Sequence, residues 1–174
     1  YNYNGHCLIF LKRITFNDDV SPGCDFRRFG LEECAAYWQQ VVDMNDYQKK
    51  AFTSKIIQSL FNTVTKKKIA VLGFAFKKDT GDVRETPALM ACDMLMKDGA
   101  IVHVYDPKVV IEDALAEFKY HDLEVNTNQL IFSKSPQEAC DGAHAIVVVT
   151  EWDEFKTYDY KRSEEHTSEL QSHS

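Results

Sequence analysis

Residues 67–106 read KKIAVLGFAFKKDTGDVRETPALMACDMLMKDGAIVHVYD. The apolar run at residues 69–73 enters a loop with two lysines and a glycine. A helical pattern follows, and a second apolar run ends on Asp106-Pro107. Strand, charged loop, helix and strand make a βαβ unit. That module forms parallel sheets and places ligands at the carboxyl ends of its strands. The spacing predicts a first strand over residues 69–76, nearly all apolar in its inner part, as suits a strand covered on both faces. Thr86 fits an N-cap, Pro87 fits the first helical position, and Gly99 fits the left-handed residue that ends a helix. Leu89, Cys92 and Met96 share one helical face, so Cys92 reads as a small core residue.

The loop at residues 77–85 carries Lys77, Lys78 and Arg84 among Asp79, Asp82 and Glu85. Cations between a strand end and a helix start suit phosphate binding. A solvated loop whose charges pair among themselves fits the same spacing. Neither GxGxxG nor GxxxxGK[ST] occurs here, so the standard dinucleotide and P-loop fingerprints are absent. Asp106 stands a few residues late for the acidic ribose contact of dinucleotide folds, and it fits a strand terminator equally.

Further along, residues 109–118 read as a short amphipathic helix and residues 130–132 as a third strand. Ser135-Pro136-Gln137-Glu138 is a capping box whose helix ends at Gly142. Residues 145–150 (AIVVVT) form a fourth buried strand, with Glu151, Trp152 and Asp153 at its carboxyl end. Trp152 there is either a lid over the core or a stacking platform. Upstream, residues 31–62 read as one long helix or two joined ones, with Leu31, Cys34, Ala35, Trp38, Val41 and Val42, then Phe52, Ile56, Ile57, Leu60 and Phe61, at helical spacing. Trp38 and Tyr47 are expected to pack between domains.

Composition bounds the function. A chain of 174 residues with 44% hydrophobic and 27% charged residues suits one soluble domain. A net charge of −7 argues against nonspecific nucleic-acid binding. No stretch reaches the ~20 apolar residues of a membrane span, and residues 7–11 are too short for a signal-peptide core. Five cysteines without a CxxC pair suggest neither a disulfide framework nor a zinc site, which makes a reducing cytoplasm the expected location. Residues 1–29 lack periodicity, apart from a turn signal at Ser21-Pro22-Gly23. Cys24 has no neighbouring base to make it a nucleophile. The tail RSEEHTSELQSHS, residues 162–174, reads as a translated sequencing-adapter oligonucleotide, so His166 and His173 are not counted as metal ligands. With Tyr1 rather than Met at its start, the chain reads as a fragment.

YWQQVVDMNDYQ, FNTVTKKKIAVLGFAFKKDTGDVRETPA, VYDPKV and EACDGAHAIVVVTEWDEF together resemble the UDP-glucose 6-dehydrogenases of eukaryotes, over about residues 29–161. The resemblance implies an incomplete Rossmann-like parallel sheet, the UDP-binding domain at residues 66–161. It would be preceded at residues 30–65 by the end of a central helical dimerisation region. Residues 1–29 then fall outside the family. The implied activity is NAD-dependent, two-step oxidation of UDP-glucose to UDP-glucuronate by a homo-oligomer, without nucleic acid or membrane as partner. Phe76 and Lys77 match substrate contacts, and Arg84 matches a residue that reaches NAD. The family's catalytic cysteine lies in a GxxxGGxCFxxD-like segment, and no such segment occurs here. The chain alone is therefore expected to be inactive, and its sheet to lack its last strands. Sister dehydrogenases acting on GDP-mannose or UDP-N-acetylmannosamine are less securely separated. A truncated, non-catalytic nucleotide-binding or interaction protein is the reading from another class.

Overall fold

The structure, a computed structural model, describes residues 29–158 together with Asn2–Tyr3, His6–Phe10 and Arg27. Cys24, the turn signal at 21–23, His166, His173 and the tail at 162–174 lie outside the described residues. The chain order is β1 (Asn2–Tyr3), β2 (His6–Phe10), α1 (Glu32–Ser59), β3 (Lys68–Leu72), α2 (Pro87–Lys97) and β4 (Ile101–Tyr105). Then come α3 (Ile111–Tyr120), β5 (Leu130–Phe132), α4 (Pro136–Cys140), β6 (Ala145–Val148) and α5 (Asp153–Thr157).

The sheet runs β1-β2-β6-β3-β4-β5. Every neighbouring pair from β2 to β5 is parallel, and only β1 runs antiparallel, beside β2. The parallel α/β sheet expected from the βαβ pattern is therefore present, with β3 at its centre: Ile69 pairs with Val102 on one side and Ala145 on the other. The edge of β6 away from β3 is lined by β2, with Cys7 opposite Ala145, a strand within the residues 1–29 that the sequence reading sets outside the family.

Strand alternation divides the core in two. Ile69, Val71, Val102, Val104 and Val147 point to the face covered by α2, α3 and the end of α1, where Phe52, Ile56, Leu95 and Phe118 meet them. Ala70, Leu72, Ile146 and Val148 point the other way, onto Ala139, Cys140, Trp152 and Phe155. Cys92 is fully buried, as its helical position predicts, and burial pushes its thiol up to about 12.

The punctuation of α2 is as read from the sequence. Thr86 Oγ1 accepts the Ala88 N–H at 3.3 Å, Pro87 opens the helix, and Gly99 follows it at φ +84°. The Ser135 hydroxyl accepts the Glu138 N–H at 3.1 Å, while the Glu138 carboxylate reaches back to the Lys134 N–H rather than to that of Ser135. Several boundaries differ from expectation, among them the fourth strand, which stops at Val148 rather than residue 150. The first strand stops at Leu72, because Gly73 takes φ +88° and turns the chain out of the sheet. The helix expected at 109–118 starts at Ile111, since the Asp106 carboxylate holds the Lys108 and Val109 N–H groups in a turn first. The long helix is single and stops at Ser59, because Phe61 and Asn62 adopt positive φ.

The packing expected of Trp38 and Tyr47 is not present among the described residues. Buried side chains of α1 are Ala35, Phe52, Thr53 and Ile56, three of the four toward its carboxyl end. Tyr37, Trp38, Met44 and Tyr47 are exposed, Tyr47 by 64%. The C-terminal half of α1 docks on α2, while the N-terminal half projects a face that nothing described here covers.

Candidate functional site at the strand ends

The carboxyl ends of β3, β4 and β6 converge, as parallel strands require. Gly73 is the pivot. A Cβ on it would lie 2.5 Å from the Thr150 Cβ and 2.7 Å from the Thr150 backbone nitrogen, so only glycine lets the segments after β3 and β6 approach this closely. The Thr150 hydroxyl then donates to the Ala75 carbonyl at 2.5 Å.

Asp106, at the end of β4, binds the arrangement together. Its Oδ2 accepts the N–H groups of Phe74 at 2.7 Å and Ala75 at 2.9 Å, and the indole N–H of Trp152 at 3.0 Å. Its Oδ1 accepts from the Lys108 and Val109 backbone at 2.9 and 3.1 Å. Both oxygens are committed to five protein donors. Of the two readings open at this position, the geometry shows the structural one: Asp106 ties the loops after three strands to one another. Trp152 is buried, its indole N–H held by that carboxylate and the Lys108 ammonium 5.6 Å from its ring centre, so it is a lid over the core.

Beyond these ties lies a cleft of about 100 Å³ lined by Phe76, Lys77, Lys78, Val149, Thr150 and Glu151. At ~30 Å³ per water, it has room for a phosphate-sized group rather than a whole nucleotide. Phe76 is half-buried in its wall and Lys77 is exposed at its mouth. Lys78 is drawn aside, 3.4 Å from the Asp153 carboxylate and 3.9 Å from that of Asp79. The hydrogen bonds from Lys156 and Lys78 hold the Asp153 carboxyl below its usual range.

The loop thus brings Phe76 and Lys77 together in the cleft and leaves Arg84 outside its lining. The Arg84 guanidinium grips Asp82 in a fork, Nε to Oδ1 at 2.9 Å and Nη2 to Oδ2 at 2.7 Å. That pairing lowers the Asp82 carboxyl to about 2. Sequence reasoning missed Thr150 and Asp82. The signal for Thr150 was a lone hydroxyl closing an all-apolar strand. For Asp82 it was an acid two residues before an arginine. Among the described residues, no group of three or more His, Cys, Asp and Glu is placed to hold a metal.

A second, wider groove of about 500 Å³ runs between α1 and the start of α2, with Asn45, Lys49, Glu85, Leu89 and His121 in its walls. Lys49 lies 3.7 Å from Glu85, and His121 lies 3.2 Å from Glu117.

A parallel sheet covered on both faces, with a small cationic cleft at its strand ends, defines an α/β domain of the kind that takes ligands at strand termini. Known proteins share this fold. A family profile described as the UDP-glucose/GDP-mannose dehydrogenase family, UDP binding domain, matches residues 70–170. The UDP-glucose 6-dehydrogenase of Rattus norvegicus is 55% identical over 135 residues, covering 76% of this chain and 27% of that protein. The Drosophila melanogaster enzyme of the same name is 48% identical over 136 residues, covering 76% and 29%. Among solved structures, a UDP-glucose dehydrogenase from the archaeon Pyrobaculum islandicum superposes with a TM-score of 0.63 at 26% identity, covering 79% of this chain and 29% of that one. An NDP-N-acetyl-D-galactosaminuronic acid dehydrogenase from Methanosarcina mazei gives 0.54 at 26% identity, covering 76% and 25%. The chain belongs to the UDP-glucose/GDP-mannose dehydrogenase family and carries the region matched by its UDP binding domain. It spans just over a quarter of the length of these curated relatives.

Proposed function

We propose that residues 66–161 hold the UDP end of a nucleotide sugar in an enzyme that oxidises UDP-glucose to UDP-glucuronate in two NAD-dependent steps. The observation that carries this reading is the cleft itself. Phe76 and Lys77 meet at the carboxyl ends of β3 and β6, in a chain of a family whose matched domain is described as UDP binding. Lys77 supplies an exposed ammonium for a diphosphate oxygen, a charge-assisted contact of about 1.5–3 kcal/mol. Phe76 presents an aromatic wall and a fixed backbone.

NAD supplies the hydride acceptor when bound. Arg84 fits a contact to its anionic part, because its side chain is 76% exposed and its guanidinium is held in a fixed direction by Asp82. The nucleophile and the hydride-accepting fold are assigned to residues outside this chain, so the chain alone is expected to produce no NADH from UDP-glucose. Detectable NADH would contradict that assignment. The exposed face of α1, with Tyr37, Trp38 and Met44, is assigned to subunit contact in a homo-oligomer. Residues 30–65 are taken as the end of the dimerisation region and 1–29 as outside the family domain, while 162–174 is taken as foreign although the profile match runs on to residue 170. A cytoplasmic location is part of the same proposal, and among the described residues no helix is long and apolar enough to cross a membrane.

Calorimetric titration of the chain with UDP, UMP and GDP tests the assignment. UDP is expected to bind, UMP to bind more weakly for want of the second phosphate, and Lys77→Gln to weaken UDP alone. Equal affinity of the Lys77→Gln variant would refute the role given to Lys77. A sister activity on another nucleotide sugar is the second reading, favoured by the likeness to the Methanosarcina mazei dehydrogenase. Competition by GDP-mannose or UDP-N-acetylmannosamine stronger than that by UDP-glucose would select it.

A further inference from the structure

We propose that Asp82 is a positioning residue that joins the Phe76–Lys77 cleft to Arg84, so that a nucleoside diphosphate bound at one end of the loop sets the guanidinium at the other. The proposal rests on the assignment of Phe76 and Lys77 to the diphosphate.

Asp82 closes the loop at both ends. Its backbone carbonyl accepts the Phe76 N–H at 2.7 Å. Its carboxylate takes the Arg84 side chain as a fork and also the Arg84 backbone N–H at 3.1 Å. Its own N–H donates to the Thr80 hydroxyl at 3.1 Å. One short side chain thus separates the two contacts. The Arg84 backbone N–H and the guanidinium fork together fix the two side-chain torsions of Asp82, so its carbonyl and its loaded carboxylate move together.

The loop around it has little slack. A Cβ on Gly81 would stand 3.0 Å from the Lys108 carbonyl, so the loop lies directly on the turn after β4. Beyond Arg84, the Glu85 backbone sits at φ +54°, and its N–H is held at 3.1 Å by the buried Glu117 carboxylate of α3. A displacement of Phe76 cannot be absorbed by the following residues, because each end is pinned to a different element. It passes through Asp82 to Arg84. Coupling of this kind is reciprocal: whatever Arg84 binds feeds back on the cleft by the same factor.

A charge effect predicts the opposite sign. The Asp82 carboxylate lies close enough to Lys77 for the ammonium to help lower its pKa. Removing that negative charge would by itself strengthen binding of an anion beside Lys77. A positioning role requires that it weaken.

The experiment uses the full 174-residue chain and reads two nuclear magnetic resonance signals, the Phe76 amide and the Arg84 Nε–H. UDP is expected to move both. In Asp82→Asn, UDP affinity is expected to fall about tenfold, the scale of one charge-assisted hydrogen bond, and the Arg84 signal to stay still when UDP is added. Asp82→Glu keeps the charge but lengthens the arm, and the same loss is expected. Unchanged or tighter UDP binding by Asp82→Asn, or an Arg84 signal that still follows UDP, overturns the proposal. A second arm needs no nucleotide. Arg84→Gln is expected to move the Phe76 amide in the parent chain and not in the Asp82→Asn background. Equal movement in both backgrounds overturns the proposal even where UDP does not bind, while absence of UDP binding to the parent chain counts against the cleft assignment.

Discussion

The βαβ domain and the N-terminal half of α1 both carry apolar side chains at regular spacing, yet they meet different fates. In the domain, Phe74 and Phe118 are wholly buried, with ring centres 6.0 Å apart. On α1, Tyr37 and Met44 stand more than half exposed. The domain supplies both partners of such contacts from within residues 52–155, because its strands and helices fold back on one another. A helix of 28 residues, ~42 Å long, outreaches the layer it docks on, so much of its far half stands clear of the described core. Hydrophobic spacing tells which faces want covering; only topology tells what covers them.

That contrast breaks most readily at the core of the domain. Phe118→Ala is expected to destabilise by about 4 kcal/mol, measured by urea unfolding, because it removes the ring that packs Phe74 and leaves a cavity. Gly73→Ala is expected to cost about 3 kcal/mol, through positive φ and collision with the Thr150 backbone. A loss below 1 kcal/mol would show that the strand ends can part, and would weaken the account of the cleft. Asp106→Asn is expected to cost about 2 kcal/mol, since an amide nitrogen faces N–H groups where a carboxylate oxygen now accepts.

Smaller effects sharpen the same comparison. The Asp82 carboxyl sits near 2 in the folded chain, against ~3.9 in an unfolded one. A depressed pKa gives stability that is fully present above about pH 4 and is lost as pH falls through 2. Unfolding between those values is expected to be less acid-sensitive in Asp82→Asn than in the parent chain. Smallest of all, Trp38→Ala is expected to change single-chain stability by less than ~0.5 kcal/mol, while lowering self-association in sedimentation. A loss comparable to that of Phe118→Ala would show that this half of α1 is part of the core after all.

How far the sequence discloses this molecule follows the same division. Strands β3 to β6, α2 and α4 are legible because their signals are local: apolar runs, Thr86-Pro87, Gly99, and Ser135 before Pro136; β1 and β2 fall in a stretch read as lacking periodicity. Boundaries that depend on distant partners are not. The first strand ends at Gly73 because Thr150 lies against it, and α3 starts late because Asp106 holds Lys108 and Val109. Lys77 and Arg84 stand out as cations in a loop, and the resemblance separates their expected roles. The ties through Asp106 depend on close approaches that neither spacing nor composition encodes, whereas the Asp82–Arg84 pair is local. Trp38 and Tyr47 show the limit most plainly: their spacing says helix face, and among the described residues no neighbour buries them.

The central claim is that the ligand end of this chain is the cleft between β3 and β6. The most direct test is an amide chemical-shift map of the chain titrated with UDP. The account predicts shifts centred on Phe76, Lys77, Thr150 and Glu151, with residues 35–50 of α1 unmoved. Shifts centred instead on Lys49, Glu85 and His121, in the groove between α1 and α2, or no shifts at all, would contradict it.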